Sequence, residues 1–179
     1  MANVDRQFGL RPVQHLDGAP YNGAIRLVYI PDTVSEDMFI GSPVKSTGDG
    51  DARGNPAVEL GTPGDALYGV VVSFRVDGTD LEVQYRKGAT EKYARVVEAP
   101  DGIFEVQASG DIQPSNIGDL ADLTEEDGSE VSGISTVELD TTTLGSGTQV
   151  RVIGFVDRED NEPGENAKVL VQIVDHELK

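Results

Sequence analysis

The side chains that could do chemistry in this chain are nearly all carboxylates. Asp and Glu total 32, against 14 Lys and Arg and two His, and there is no Cys. Without Cys there is no disulfide framework, thiol nucleophile or thiolate metal site. His15 lies near Asp17, and His176 lies between Asp175 and Glu177. A metal centre needs several convergent ligands, and two isolated histidines do not supply a spaced set. Two acidic stretches open like calcium loops. Asp49-x-Asp51 is followed by Arg53 where the EF-hand pattern wants Asp or Asn, and by Leu60 where it wants Glu, with Glu59 one residue early. Asp157-x-Glu159-x-Asn161 continues with Glu162 where the tight-turn Gly belongs. Both read as acidic turns, and neither a metal nor a cofactor is expected. The G-x-S-x-G elbow and the G-x-x-x-x-G-K-[ST] phosphate loop are absent. Gly48-x-Gly50-x-x-x-Gly54 misses the dinucleotide spacing by one residue and lacks the strand and helix around it. So many carboxylates make some close pair inevitable, and a glycosidase-like pair cannot be picked from spacing. No enzyme is expected.

The formal net charge of −18 bears on partners. Such a surface repels phosphate backbones and anionic membranes at range, which disfavours nucleic acid and lipid. Arg86-Lys87 is the only adjacent basic pair, too little for a phosphate-binding patch. The N-terminus lacks the basic and apolar regions of a secretory signal, and no apolar run approaches the roughly 18–20 residues of a membrane span. A chain of 179 residues can bury a core without disulfides or metal.

The elements that must position these groups read as β. Strands are expected over 24–30, 38–44, 66–76, 81–85, 93–97, 103–108, 134–139, 150–156 and 167–174, from β-rich composition and alternation. The 77–80 turn should close one hairpin and the Ala99-Pro-Asp-Gly102 turn a second. Residues 48–55 and 124–133 read as loops, and 157–166 as a long charged loop joining the last two strands. One short helix is expected over 115–123, with Ser115 as cap and Ile117, Leu120 and Ala121 at i, i+3 and i+4. The predicted fold class is therefore all-β, a small barrel or sandwich over residues 24–179, with an extended N-terminal arm over 1–23.

That arm is the most informative segment. Phe8, Leu10, Val13, Leu16 and Tyr21 follow no helical or sustained strand period, and Pro12, Pro20 and several Gly punctuate them. An apolar segment of this kind must be covered, either along a neighbouring subunit or folded back on its own domain. The string MANVDRQFGLRPV over 1–13 and GAPYNG over 18–23 resemble the start of head decoration, or cement, proteins of tailed bacteriophages. The likeness recurs in RVIGFV at 151–156, DNE at 160–162 and AKVLV at 167–171, with a looser middle. The resemblance implies a structural subunit bound outside a phage head, made in the host cytoplasm, with the major capsid protein as partner and self-association as a homotrimer. On that reading Arg6, Phe8, Leu10, Arg11, Val13 and Tyr21 are the candidate contact residues, with Phe8 and Tyr21 as apolar anchors and the two arginines pairing with carboxylates. The alternatives are a carbohydrate-binding or adhesin module, or a carboxylate-dependent glycoside hydrolase. With no Trp and only five Phe and five Tyr, few rings are available to line a sugar cleft.

Overall fold

The computed structural model describes residues 3–76 and 83–178. The all-β expectation holds, and the strands form a closed five-stranded barrel and a second five-stranded sheet. The barrel is built from β2 (Arg26–Ile30), β3 (Pro43–Gly50), β4 (Pro56–Leu60), β5 (Gly69–Phe74) and β6 (Lys92–Glu98). Its order is β2-β4-β3-β5-β6, closed by antiparallel pairing of β2 with β6. Val28, Ile30, Val44, Val58, Val71, Ala94 and Val96 fill it. The second sheet takes β1 (Arg11–His15), β7 (Gly102–Gln107), β8 (Leu120–Ala121), β9 (Val150–Phe155) and β10 (Lys168–Ile173), in the order β1-β7-β10-β9-β8.

The two units share a wall. Val71 and Val96 point into the barrel, while their neighbours Val70 and Val97 belong to the second core, with Phe104, Val106, Val152, Val169 and Val171. This is why the run Gly69 to Val71 is apolar without a break: both faces of β5 are covered there.

The pairing of β9 with β10 was legible, and their long connection is present as expected. Other expectations need correction. The strands on either side of residues 99–102 do not pair with each other. A 3-10 turn, Ala99–Asp101, carries the chain out of the barrel, so β6 pairs with β2 and β5 while β7 pairs with β1 and β10. Residues 115–123 are not a helix. A 3-10 turn at Pro114–Asn116 is followed by Gly118 at φ +96°, and the chain then runs beside β9 as β8. Nine residues make too weak a helix to compete with a free strand edge. Residues 134–139 form only isolated bridges, to Ile40, Ala108, Leu123 and Ser129. The expected loop over 48–55 is shorter, since β3 continues to Gly50 and β4 begins at Pro56. The turn proposed at 77–80 lies outside the described residues, and 83–85 do not form a strand.

The arm is where the fold meets the site. Residues 1–23 supply β1, an edge strand of the second sheet. Ahead of it the chain squeezes past the barrel at Gly9 (φ +67°) and Gly41 (φ +98°). A Cβ at Gly9 would stand 2.8 Å from the Gly41 carbonyl oxygen, and one at Gly41 would stand 2.8 Å from the Phe8 carbonyl oxygen. Both positions therefore need glycine for conformation and for room. The Leu10 N–H donates to the Gly41 carbonyl at 3.0 Å, and its side chain enters the second core, only 2 % exposed. The outer edge of β1 is itself covered, since His15 N donates to Ala19 O (2.8 Å) and Tyr21 N to Val13 O (3.1 Å).

Candidate interaction site

All six residues of β7 are buried. Phe104 and Val106 face the core, which puts Glu105 and Gln107 on the opposite face, under the arm. Gln107 is 1 % exposed and uses its whole amide. Its Oε1 accepts from the Arg6 backbone N–H (2.8 Å) and from Lys168 Nζ (2.8 Å). Its Nε2 donates to Asp5 Oδ1 (2.8 Å) and Glu138 Oε1 (2.6 Å). One buried amide thus fixes the arm to the sheet, as a fully satisfied polar hub can.

Lys168, the first residue of β10, is also buried. Its ammonium donates to Gln107, to the Asn166 carbonyl (2.8 Å) and to the Val4 carbonyl, filling its three donors. Burial lowers its pKa, and the nearby Arg158 cation acts in the same direction. Glu105 is held between two arginines. Arg158 Nη1 lies 3.1 Å from Oε1, and Arg11 Nη1 lies 3.9 Å from Oε2. The Glu105 side chain is only 6 % exposed, yet Oε1 accepts no aligned hydrogen bond. Arg158 also reaches Asp160 Oδ1 at 3.5 Å.

These groups surround a pocket of about 300 Å³ lined by Val4, Arg6, Phe8, Arg11, Glu105, Arg158, Asp160 and Lys168. Four cations and two carboxylates meet there, on a chain whose overall charge is −18. The Arg11 guanidinium lies over the Phe8 ring, 4.7 Å from its centroid. Arg6 is exposed and has no ion-pair partner among the described residues. Loop 157–166 forms one side of the site and is tied down by the arm: Asn3 Nδ2 donates to the Glu162 and Glu165 carbonyls, both at 2.8 Å.

Of the six residues singled out from sequence, Arg6, Phe8 and Arg11 meet at this pocket. Leu10 lies in the chain's own core, away from the pocket lining. Val13 is half-buried in β1, and Tyr21 packs against the second core with its ring 6.0 Å from His15. Glu105, Gln107, Arg158 and Lys168 were missed. Their signal is weak, since Glu105 and Gln107 hold the polar positions of an alternating strand, the pattern of a solvent-facing side.

The two calcium-like loops have other work. Asp51 Oδ1 accepts from Arg53 N and Asn55 N, and Oδ2 from Asn55 Nδ2 and the Tyr93 hydroxyl, all at 2.8 Å. The Asn55 side-chain bond leads the set that holds this carboxyl far below its usual range. In the other loop Asn161 bonds the Val156 and Lys168 carbonyls and the Lys168 N–H, closing the base of the connection. Among the described residues no group of three or more His, Asp and Glu converges as a metal site. Comparisons with family models, with curated proteins and with solved structures found no match.

Proposed function

We propose that this chain is a structural decoration subunit of the tailed-bacteriophage head type, acting by contact rather than by catalysis. The observation that carries the reading is the placement of the segment that bears the resemblance. It is pinned to the sheet by Gln107 and Lys168, and it brings Arg6, Phe8 and Arg11 to one cation-rich pocket of an otherwise acidic molecule. A rigid β scaffold with a charged and apolar contact patch suits a protein that bridges neighbours. Repetition over a shell then turns modest contacts into firm attachment through effective concentration. The partner on this reading is the major capsid protein, with self-association of the subunit as a homotrimer, on the exterior of the virion.

The test is decoration itself. Purified heads lacking the protein are incubated with it, occupancy is measured by cryo-electron microscopy, and head melting is followed in parallel. The expected result is ordered density outside the shell and a higher melting temperature of the heads. Unbound protein at saturating concentration would overturn the proposal. Glycan-specific binding with no effect on the heads would favour the adhesin alternative.

A further inference from the structure

The pocket is built to receive an anion beside an apolar group, and the same chain displays that combination elsewhere. Arg6 is unpaired among the described residues, Val4 is 68 % exposed at the pocket wall, and the Phe8 ring lies under Arg11.

Loop 124–133 offers the complement. It exposes Glu125, Asp127 and Glu130, and its tip residue Val131 is 97 % exposed, the barest large apolar side chain among the described residues. It is also held rigid from beneath. Glu126 turns inward and accepts from the Ser42 hydroxyl and from Thr136 N (3.2 Å), and Gly128 rests against the Phe39 ring. Ser129 and Gly133 close the turn, with Ser129 N donating to Ile134 O (3.0 Å) and Gly133 N to Ser129 O (2.8 Å). The Tyr85 hydroxyl holds Glu130 at 3.0 Å. Ordering cost is therefore already met in the free protein, which favours binding by this tip. Within one copy the tip and the pocket do not touch, since Val131 is bare.

We infer that the pocket at the arm receives the acidic tip of loop 124–133 from a second copy, with Val131 against Val4 and Phe8 and a tip carboxylate at Arg6. Such a contact joins two different patches, so it runs head to tail and closes only as a ring. It rests on the proposal above only in taking the pocket as a contact surface, and not on the identity of the shell.

Because the chain has no Cys, one introduced thiol per copy is unique. Val4→Cys protein, reduced, is mixed with Val131→Cys protein activated as its thionitrobenzoate mixed disulfide. Attack of the thiolate at position 4 forms the intermolecular disulfide and expels thionitrobenzoate, whose absorbance gives the rate. Val76→Cys, at another highly exposed position (74 %), replaces Val4→Cys as the control. The pair at 4 and 131 should react at least about tenfold faster than the control pair at low salt, because complementary charge raises encounter rates. The advantage should be largely lost at about 0.5 M salt, where screening acts over only a few ångströms. Adding Arg6→Glu to the Val4→Cys protein should abolish it, and circular dichroism checks that this protein is folded. Equal rates for the two pairs would overturn the inference, as would an advantage indifferent to both salt and Arg6→Glu. Heads decorated normally by protein that shows no advantage would sink this contact alone. A charge-dependent advantage in protein that never binds heads would sink the decoration proposal alone.

Discussion

Leu10→Ala is the sharpest test of where the arm lies. Leu10 is 2 % exposed and belongs to the core under the second sheet, alongside Phe104 and Val106. Truncation of such a leucine costs about 2–5 kcal/mol, from lost transfer free energy plus the cavity left behind. Collapse around the cavity is restricted here. The backbone on one side is wedged between Gly9 and Gly41, and on the other it is paired through Arg11 with Glu105. A value of about 3 kcal/mol is therefore reasonable. For a chain of this size each kcal/mol moves the midpoint by about 2–4 °C, so the drop should be about 6–12 °C. The assay is thermal and urea unfolding of dilute protein, with Leu16→Ala as a control. Leu16 is 46 % exposed, and its truncation should change stability by no more than about 0.5 kcal/mol. If the arm were exchanged between copies, dilute Leu10→Ala protein would melt like the parent, and a difference would emerge only with concentration. A shift below about 2 °C in dilute protein would refute docking of the arm on its own chain.

Two further outcomes follow from buried charge. Arg86 is fully buried and donates to the carbonyls of Thr90 (2.9 Å), Glu36 (2.6 Å), Pro31 (2.9 Å) and Val34 (2.8 Å). Arg86→Met removes a donor from all four carbonyls, of which Pro31 and Val34 keep backbone donors (Val34 N at 3.3 Å and Ala89 N at 2.8 Å), and should cost about 3–5 kcal/mol in urea unfolding, as breaking a buried charged network does. A loss below about 1 kcal/mol would show that these carbonyls are readily resolvated. Burial raises the Glu126 pKa above the ordinary Glu range, against the hydrogen bonds that lower it. A carboxyl raised in the folded state contributes stability at pH below its unfolded value, and that contribution is lost as pH rises through the folded value. Glu126→Gln should thus gain stability relative to the parent as pH rises above the ordinary Glu value, measured as the difference between the two midpoints across pH. A pH-independent difference, or one of opposite slope, would contradict the assignment.

The sequence was most readable where local pattern and tertiary pairing agree. Val150, Val152, Val169, Val171 and Ile173 alternate cleanly and all reach the core. It misled where a local pattern had a stronger non-local competitor. Ile117, Leu120 and Ala121 have helical spacing, but the edge of β9 takes Leu120 and Ala121, leaving Ile117 49 % exposed. The turn at 99–102 has hairpin chemistry, yet what a turn connects is decided by distant partners that a local pattern does not record. The site was half legible. Arg6, Phe8 and Arg11 stand in a segment with no regular period, whereas Glu105 and Gln107 have the pattern of the solvent face of an ordinary strand. That face is covered by residues about a hundred positions earlier in the chain and by Glu138, Arg158 and Lys168 from later in it.

The crossover after β6 also bears on how the protein is made. The second sheet begins with β1 and resumes only at β7, so the whole barrel is an insertion between two paired strands. The ends of that insertion lie together: Arg26 pairs with Val96 in the ladder, and Arg26 Nε lies 2.5 Å from Glu98 Oε1. On the ribosome the barrel has all its strands by residue 98, while β1 still waits for a partner not yet synthesised. A unit with adjoining ends can close first and carry β1 to β7, removing much of the loop-closure cost of a pairing that spans about ninety residues. The same arrangement lets the barrel's own interior vary, provided that Val70, Val97 and Gly41, which serve the second core and the arm, keep their places.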